Sequence, residues 1–571
     1  LTGLRIGKEG LAAPLLFSAL ALAGYGSAAA SPALWFCSLA LLWAGASFLV
    51  KPEISGLTVL GIAVCVFALW IVGTNFWANP SYTSAAPYHA AFLVSGFYVG
   101  RRAGAAGGGM LLSVALTFAV GVSIWGVWQW FSQNEMRAHS LFITPATLGS
   151  LVNLLLLPTL VLFACGSPRR ILLPILVILG VTLGLAQSRG AWVAFGGAVV
   201  AILLLAHRAG VAVDRRRLAI AAMILACGVA LSWVAADRPD VVGAYPGETP
   251  FSTVSFNHRI QLYDLAVKSI ANSPWLVGTG YHSFFYLLEF SRASIPAFVT
   301  AQTYFVHNDY LQVLLELGLP GLMAMLAIVS IPLLRVWRAL GGNALPTQDR
   351  VILIAAVAAI TSMAVHALVD FPFYIPVCIL LFGVALGILD AVLLRVRRGL
   401  SVPRLFANVT FRRVAGAALG TLVAWILILP VVAEAASIYG TRQWQAGRGQ
   451  NAAFGLEAAR RLDPRDWRYH WYAGQFWMAE ALNRADRTAA AFAERALVAA
   501  QAANSREVRP LYDRILLNRR LGKLLATPAS RETLVAWANR AVELSPSDPA
   551  VRAERDSLVK ELQFADQGNR K

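Results

Sequence analysis

The stretch Phe305-Val306-His307-Asn308-Asp309-Tyr310-Leu311-Gln312-Val313-Leu314-Leu315-Glu316-Leu317-Gly318-Leu319-Pro320-Gly321 runs directly into an apolar segment of spanning length, 319–339. A histidine and two carboxylates stand within ten residues of one another at the edge of a bilayer-length run. Polar groups so placed are costly unless they face water, a partner or a substrate. If Asn308 opens a helix, Asp309, Gln312 and Glu316 fall at spacings of three and four and share one face. His307 then sits at the helix mouth, where a titratable imidazole can meet an incoming hydroxyl. The ordinary alternative is a polar helix start beside a bilayer, and spacing alone leaves both readings open.

Working outward, the 571-residue chain is 58% hydrophobic and only 14% charged. A soluble domain carries roughly 25% charged residues, so the composition is that of a multi-spanning membrane protein. The formal charge of +18 does not indicate nucleic-acid binding, because the arginines lie between apolar spans rather than along one face. All five cysteines lie in apolar runs, and no Cys-x-x-Cys or Cys/His spacing occurs. Neither disulfides nor structural zinc is expected. The first apolar run is itself of spanning length and is followed by many more, so no cleavable signal peptide is expected.

About thirteen runs are long and apolar enough to span, near 11–30, 33–50, 56–73, 85–100, 108–131, 141–165, 171–187, 190–206, 218–236, 319–339, 351–369, 372–394 and 414–435. Their connections sort by charge. Arg101 with Arg102, Arg169 with Arg170, Arg208 with Arg215 to Arg217, Arg335 with Arg338, and Arg395 to Arg413 all fall on one side if the N-terminus is cytoplasmic. The intervening loops are poor in Lys and Arg: 74–84 has none and 132–140 has only Arg137. The sequence therefore divides into an N-terminal bundle 1–236, a large outer loop 237–318, further spans 319–436 and an outer tail 437–571.

Four sites on the arginine-poor side stand out. Arg137 with His139 lies at the mouth of the sixth span, where snorkelling to headgroups is the ordinary explanation. Gln187-Ser188-Arg189-Gly190 is a tight polar turn between two apolar runs. Arg189 there breaks the charge pattern, and a guanidinium matches phosphate oxygens in bidentate geometry. In the large loop, Asn257 to Lys268 reads as an amphipathic helix carrying Arg259, followed by a Pro274-x-x-x-Gly278-x-Gly280 turn. Arg259 is either a second anion ligand or part of a solvated helix face. Asp370, in His366-Ala367-Leu368-Val369-Asp370-Phe371-Pro372, is either a site residue or an ion-pair partner for one of these arginines. His366 reads as a hydrogen-bonded packing histidine.

The tail changes composition sharply, with apolar residues at helical spacing. Two segments resemble each other, Ala459 to Asp466 and Ala541 to Asp548, with a proline opening the turn in each. They look like tetratricopeptide repeat ends, but their offset of 82 residues is not a multiple of 34, so a degenerate helical-repeat domain is expected. Trp467, Tyr469, Trp471 and Tyr472 either line a sugar-binding groove or, more ordinarily, form repeat core.

In order, Arg137 before a span, Ser188-Arg189-Gly190, Arg259 with its Pro274/Gly278/Gly280 turn, His307-Asn308 with Glu316-x-Gly318-x-x-Gly321, and Asp370 before an aromatic-proline turn resemble the O-antigen ligase and Wzy-type polymerase superfamily. The resemblance covers most of residues 135–375. It implies an all-α, polytopic, GT-C-like membrane helix bundle and an inverting glycosyltransferase at the periplasmic face of a bacterial inner membrane. The implied donor is a glycan on undecaprenyl pyrophosphate. Arg189 and Arg259 would hold the pyrophosphate and stabilise charge on the leaving group. His307 would orient or deprotonate the acceptor hydroxyl. Arg137 would be a further phosphate contact, with Asn308, Asp309, Glu316 and Asp370 around the substrate. No metal and no cofactor is implied.

The helical tail departs from the simplest ligases and resembles tails on relatives assigned to exopolysaccharide polymerisation or protein O-glycosylation, so the acceptor stays open between lipid A core, a second lipid-linked glycan and a protein. A transporter or flippase would instead predict ionisable residues near the midplane and internal repeats. A membrane-anchored scaffold would account for the tail but not for thirteen spans or the outer arginines.

Overall fold

The computed structural model describes residues 58–78, 86–105, 109–132, 137–142, 144–166, 169–236, 254–285, 287, 305–342, 344–396, 409–546 and 548–568. Among them the chain forms eighteen α-helices and no strand. The first eleven are α1 (Val59–Gly73), α2 (Ala86–Ala105), α3 (Gly109–Ser132), α4 (Pro145–Ala164), α5 (Arg169–Leu185), α6 (Arg189–Ala209), α7 (Arg215–Ala236), α8 (Val254–Ala271), α9 (Asp309–Leu340), α10 (Thr347–His366) and α11 (Pro376–Val396). The long α12 (Val409–Gln445) follows, and then α13 (Gly449–Leu462), α14 (Trp467–Arg484), α15 (Arg487–Ala503), α16 (Val508–Leu521), α17 (Arg531–Leu544) and α18 (Pro549–Gly568). Every apolar run from 56–73 onward coincides with a helix; the runs 11–30 and 33–50 lie outside the described residues.

Two compact units result. One comprises Leu1–Gly73, Pro87–Gly278 and Val306–Leu427; the other comprises Thr74–Ala86, Thr279–Phe305 and Ile428–Lys571. In the first, α4, α6, α9, α10 and α11 are long and apolar enough to cross a membrane, and α1 and most of α5 are shorter apolar helices. Helices in lipid gain little from apolar burial against one another, so close backbone approach matters more. That is how α2 and α11 meet. Gly96, Gly100 and Gly104 on α2 face the α11 backbone at Leu380, Val384 and Ile388, while Gly383 and Gly387 face Leu93 and Phe97 in return.

The bundle has two chemically distinct ends. At one, arginines satisfy the carbonyls that helix C-termini leave open. Arg217 donates to the Phe163 carbonyl at 2.6 Å, Arg350 to Ala209 at 2.5 Å and Arg395 to Gly104 at 2.5 Å, closing α4, α6 and α2. Here the fully buried Asp390 lies 3.4 Å from Arg101 and 3.5 Å from Arg335 and accepts a hydrogen bond from Thr58. Among the described spacer residues, Arg101, Arg217, Arg335 and Arg395 thus gather at one end. The other end holds His307, His366 and Asp370.

The second unit contains a periodicity that sequence comparison hid. Backbone turns recur at Asp463–Asp466, Asn504–Glu507 and Ser545–Asp548, each closed by the last residue's N–H on the first residue's carbonyl. The steps, 463 to 504 and 504 to 545, are both 41 residues. In each copy the first turn residue donates to an alanine four residues back, Ala459, Ala500 or Ala541, and all three alanines are fully buried. Leu456, Leu497 and Ala538 are buried in the same phase, as are Phe476, Leu517 and Leu558. The 82-residue offset is therefore two repeats of 41, not a distorted multiple of 34. The middle copy escapes notice because it reads Asn504-Ser505-Arg506-Glu507, without the proline of its neighbours. Trp467 and Tyr469 are buried at these joints. Trp471 donates its indole N–H to Asp513 at 2.7 Å, and Arg509 stacks over both Trp467 and Trp471. Of the four aromatics, these three serve the packing between repeats.

Within the bundle, one joint underlies the end that holds His307. Gly318 takes φ 67° and ψ −171° inside α9, which breaks the helical hydrogen-bond ladder. The freed Leu317 carbonyl accepts from the Trp70 indole at 2.7 Å, and the Leu319 N–H donates to the Trp275 carbonyl at 3.1 Å. The Pro274–Gly278 turn therefore lies backbone against backbone on the kink. A Cβ on Gly278 (φ 82°) would overlap the Glu316 carbonyl, and one on Gly318 would sit 2.6 Å from the Leu276 oxygen. Positive φ and absent space together require glycine at both positions. Gly278→Ala and Gly318→Ala are each expected to cost ~1–3 kcal/mol and to lower the thermal unfolding midpoint of detergent-purified protein. Gly121→Ala, where a Cβ meets nothing within 4 Å, is the control and is expected to leave the midpoint unchanged.

Candidate active site

The candidate active end is built where α9 begins and α10 stops. The last turn of α10 leaves carbonyls without helical partners, and the first residues of α9 supply donors. Asn308 caps α9 by accepting from the Leu311 N–H, and its amide nitrogen donates to the Leu368 carbonyl at 3.0 Å. The Asp309 N–H donates to Ala367 at 2.9 Å and the Tyr310 hydroxyl to Ala364 at 2.8 Å. The expectation that Asn308 opens a helix with His307 at its mouth is met. His307 itself takes φ 60°, a left-handed conformation unusual for a non-glycine residue and held here by its surroundings. The Tyr263 hydroxyl fixes its carbonyl at 2.8 Å.

Asp309, Gln312 and Glu316 do share a face, but it is the buried one. All three are fully buried. Asp309 accepts from the Phe373 N–H at 2.8 Å, Glu316 from the Tyr374 hydroxyl at 2.7 Å and from Gln312 at 3.0 Å. The expectation of substrate contacts at Asp309 and Glu316 meets a different placement. These carboxylates tie α9 to the Phe371–Tyr374 turn, and the acidic face points into packing because the turn's donors lie there. Asn308 likewise spends its amide on the protein.

Asp370 emerges from this turn as the hub. Its Oδ1 lies 3.1 Å from His307 Nδ1 and accepts from the Phe371 N–H at the same distance. Its Oδ2 lies 3.7 Å from Arg259 and 3.6 Å from His366 Nε2. Burial alone would raise the carboxyl's pKa, but the hydrogen bond from His307, the nearby His366 ring and the charges of His307 and Arg259 hold it well below the usual carboxylate range. Tyr263, four residues from Arg259 on α8, shares that face; burial raises its phenol, opposed by Arg259.

Two expected residues reach this end through backbone placement. Arg189 is the first residue of α6, after the cap at Ser188. The next residue, Gly190, presses on α10: a Cβ there would sit 3.0 Å from the His366 ring and 2.8 Å from Val369. Arg137 precedes Ala138, whose N–H donates to the Leu185 carbonyl at the end of α5. Arg259, by contrast, meets Asp370 through its side chain. Sequence reasoning did not single out Tyr263, Tyr374 or Ser150. Only the spacing of Tyr263 from Arg259 carried a signal. Among the described residues, no group of three or more His, Cys, Asp or Glu is placed to hold a metal ion.

Residues 174–326 match the family model described as O-antigen ligase. The chain carries an O-antigen ligase domain. With its apolar helices, that makes it an integral membrane protein. Comparison with curated proteins finds no match. The ligase domain covers Arg189, Arg259, His307 and both glycines of the α9 joint, while Asp370 and His366 lie beyond its matched end. The fold brings them back to it.

The depressed Asp370 carboxyl has a pH consequence. A group whose folded pKa lies below its unfolded value, about 3.9, adds stability that is complete above that value and is lost as pH falls towards the folded one. Asp370→Asn is therefore expected to remove part of the stability gained between about pH 3 and pH 5, read as a flatter dependence of the thermal midpoint on pH over that window.

Proposed function

We propose that the chain is an inverting glycosyltransferase that moves a glycan from undecaprenyl pyrophosphate to an acceptor hydroxyl at the periplasmic face of a bacterial inner membrane. The observation that carries this is the His307–Asp370–Arg259 arrangement, with distances of 3.1 and 3.7 Å at one carboxylate. It puts a candidate base and a candidate anion ligand side by side. The O-antigen ligase match over residues 174–326 supports the substrate class.

With Nδ1 donating to Asp370, His307 presents Nε2 as its basic nitrogen. In the reaction, Nε2 takes the acceptor hydroxyl's proton as that oxygen attacks the anomeric carbon on the face opposite the pyrophosphate. The bond from the anomeric carbon to the pyrophosphate oxygen breaks, and its electron pair leaves with the lipid pyrophosphate. Arg259 and Arg189 stabilise the charge that accumulates there, with Arg137 as a further contact. The proton on His307 passes to solvent or to the departing phosphate, which restores the base. This chemistry asks for neither a redox step nor a cofactor.

The acceptor is lipid A core, a second lipid-linked glycan or a protein, and the product distinguishes them. Purified protein given lipid-pyrophosphate-linked oligosaccharide should release lipid pyrophosphate and form an extended lipid-linked glycan, a glycosylated core or a glycoprotein. His307→Ala, Arg189→Ala and Arg259→Ala are each expected to lower kcat/KM by about 10²- to 10⁴-fold at wild-type folding. Near-wild-type turnover in all three would remove the site assignment. Substrate flux in vesicles without any glycosyl transfer would favour a transporter instead.

A further inference from the structure

His366, the last residue of α10, is almost fully buried, yet it touches three elements that matter to the site. Its Nδ1 lies 2.7 Å from Ser150 Oγ on α4. Its ring faces Gly190, the second residue of α6, beside Arg189. Its Nε2 points at Asp370 Oδ2 across 3.6 Å. His366 Nε2 and Asp370 Oδ2 are both buried and neither makes a hydrogen bond. Two such atoms facing each other are stabilised once they meet, and a closure of a few tenths of an ångström would join them.

The proton's place follows from the partners. A lone pair on Nε2 would point at a carboxylate, so Nε2 carries the hydrogen. Nδ1 then accepts from the Ser150 hydroxyl, whose weaker contact, to the Ala146 carbonyl, is 3.1 Å. The chain of donors runs from Ser150 to His366 to Asp370. Asp370 receives His307 Nδ1–H on its other oxygen. A residue needed only for volume would not require an imidazole here, because burying one beside a carboxylate is costly unless both are paired.

We propose that His366, held by Ser150, is a positioning residue that orients the Asp370 carboxylate and through it sets the tautomer and basicity of His307. This rests on the glycosyl-transfer reading for its rate effect but not for its effect on His307. His366 does not touch substrate. Its contact with Gly190 adds a second consequence: the first turn of α6, which carries Arg189, seats on the same ring. Base and anion ligand are thereby referenced to one buried side chain.

The test uses the full chain in detergent with ring-¹⁵N histidine labelling; the sequence holds eight histidines. The His307 signal is assigned by its loss in His307→Gln. The groups around His307 are Asp370, with Arg259 from α8 on the same carboxylate, and Tyr263 from α8 at the His307 carbonyl, with His366 behind Asp370. His366→Phe keeps the ring volume and removes both nitrogens. Asp370 then shares its charge with one donor fewer, so the His307 titration is expected to move up by about 0.5 in pH. With lipid-pyrophosphate-linked oligosaccharide, kcat is expected to fall about 10- to 100-fold while the donor KM stays within about 2-fold. His366→Gln, which restores an N–H, should recover part of both.

An unmoved His307 titration in folded His366→Phe overturns the proposal, as does loss of activity that only tracks the thermal midpoint and is no better in His366→Gln. If His366→Phe does not fold, Ser150→Ala is read in the same way, with a smaller shift in the same direction expected. A shifted titration in a chain that transfers no glycan upholds the positioning network and defeats the glycosyl-transfer reading. Transfer by wild type with an unmoved titration does the reverse.

Discussion

One buried carboxylate organises the candidate active end of this protein. Asp370 accepts from, or faces, donors on the α9 mouth, the end of α10 and α8. A carboxylate out of water is tolerated only when its charge is matched and its lone pairs are used, so each donor is held to a narrow position. Removing one partner leaves the charge under-compensated, which is why loss of either histidine or of Arg259 should be felt by the others. The carboxylate can sit there because α9 supplies donors to the carbonyls at the end of α10, and this fixes the turn from which Asp370 projects.

The two ends of the bundle use arginine differently. At the spacer end, guanidinium groups close helix C-termini and pair with Asp390 and Asp349, all local neutralisation. At the other end, Arg189 stands at a helix start, where the backbone already offers a positive dipole. An arginine at a helix C-terminus has a carbonyl to serve; one at an N-terminus adds to existing positive potential. The proposed pyrophosphate ligand fits that asymmetry. The charged residues near the spans thus divide by chemistry into structural and proposed functional groups.

The joint between Gly278 and Gly318 links the loop to this arrangement. It places the turn after α8 on the kink of α9, so the helix carrying Arg259 and the helix opened by Asn308 cannot shift independently. The motif glycines are therefore mechanical: their backbones touch. In the second unit the same economy appears as a 41-residue beat of buried alanines and turn caps, where small residues again set how closely helices approach.

Composition and periodicity alone determined the membrane class, the apolar helices α1 to α7 and α9 to α12, and the grouping of the spacer arginines at one end of the bundle. Those properties follow from local chemistry, since a span needs apolar length and an arginine needs water or a carbonyl. The helix start at Asn308 was legible for the same reason, because a cap and its helix are neighbours in the chain. What only the tertiary structure decided was which face of α9 is buried, that Asp309 and Glu316 serve packing, and that His366 meets Ser150 across 216 positions of sequence. Spacing puts residues on a common face but does not say what that face will meet. The 41-residue repeat was hidden for a related reason: its conserved features are burial and backbone turns, which several side chains satisfy equally well. The set of donors around Asp370 likewise exists only where separate helices end together, and no stretch of the chain contains it.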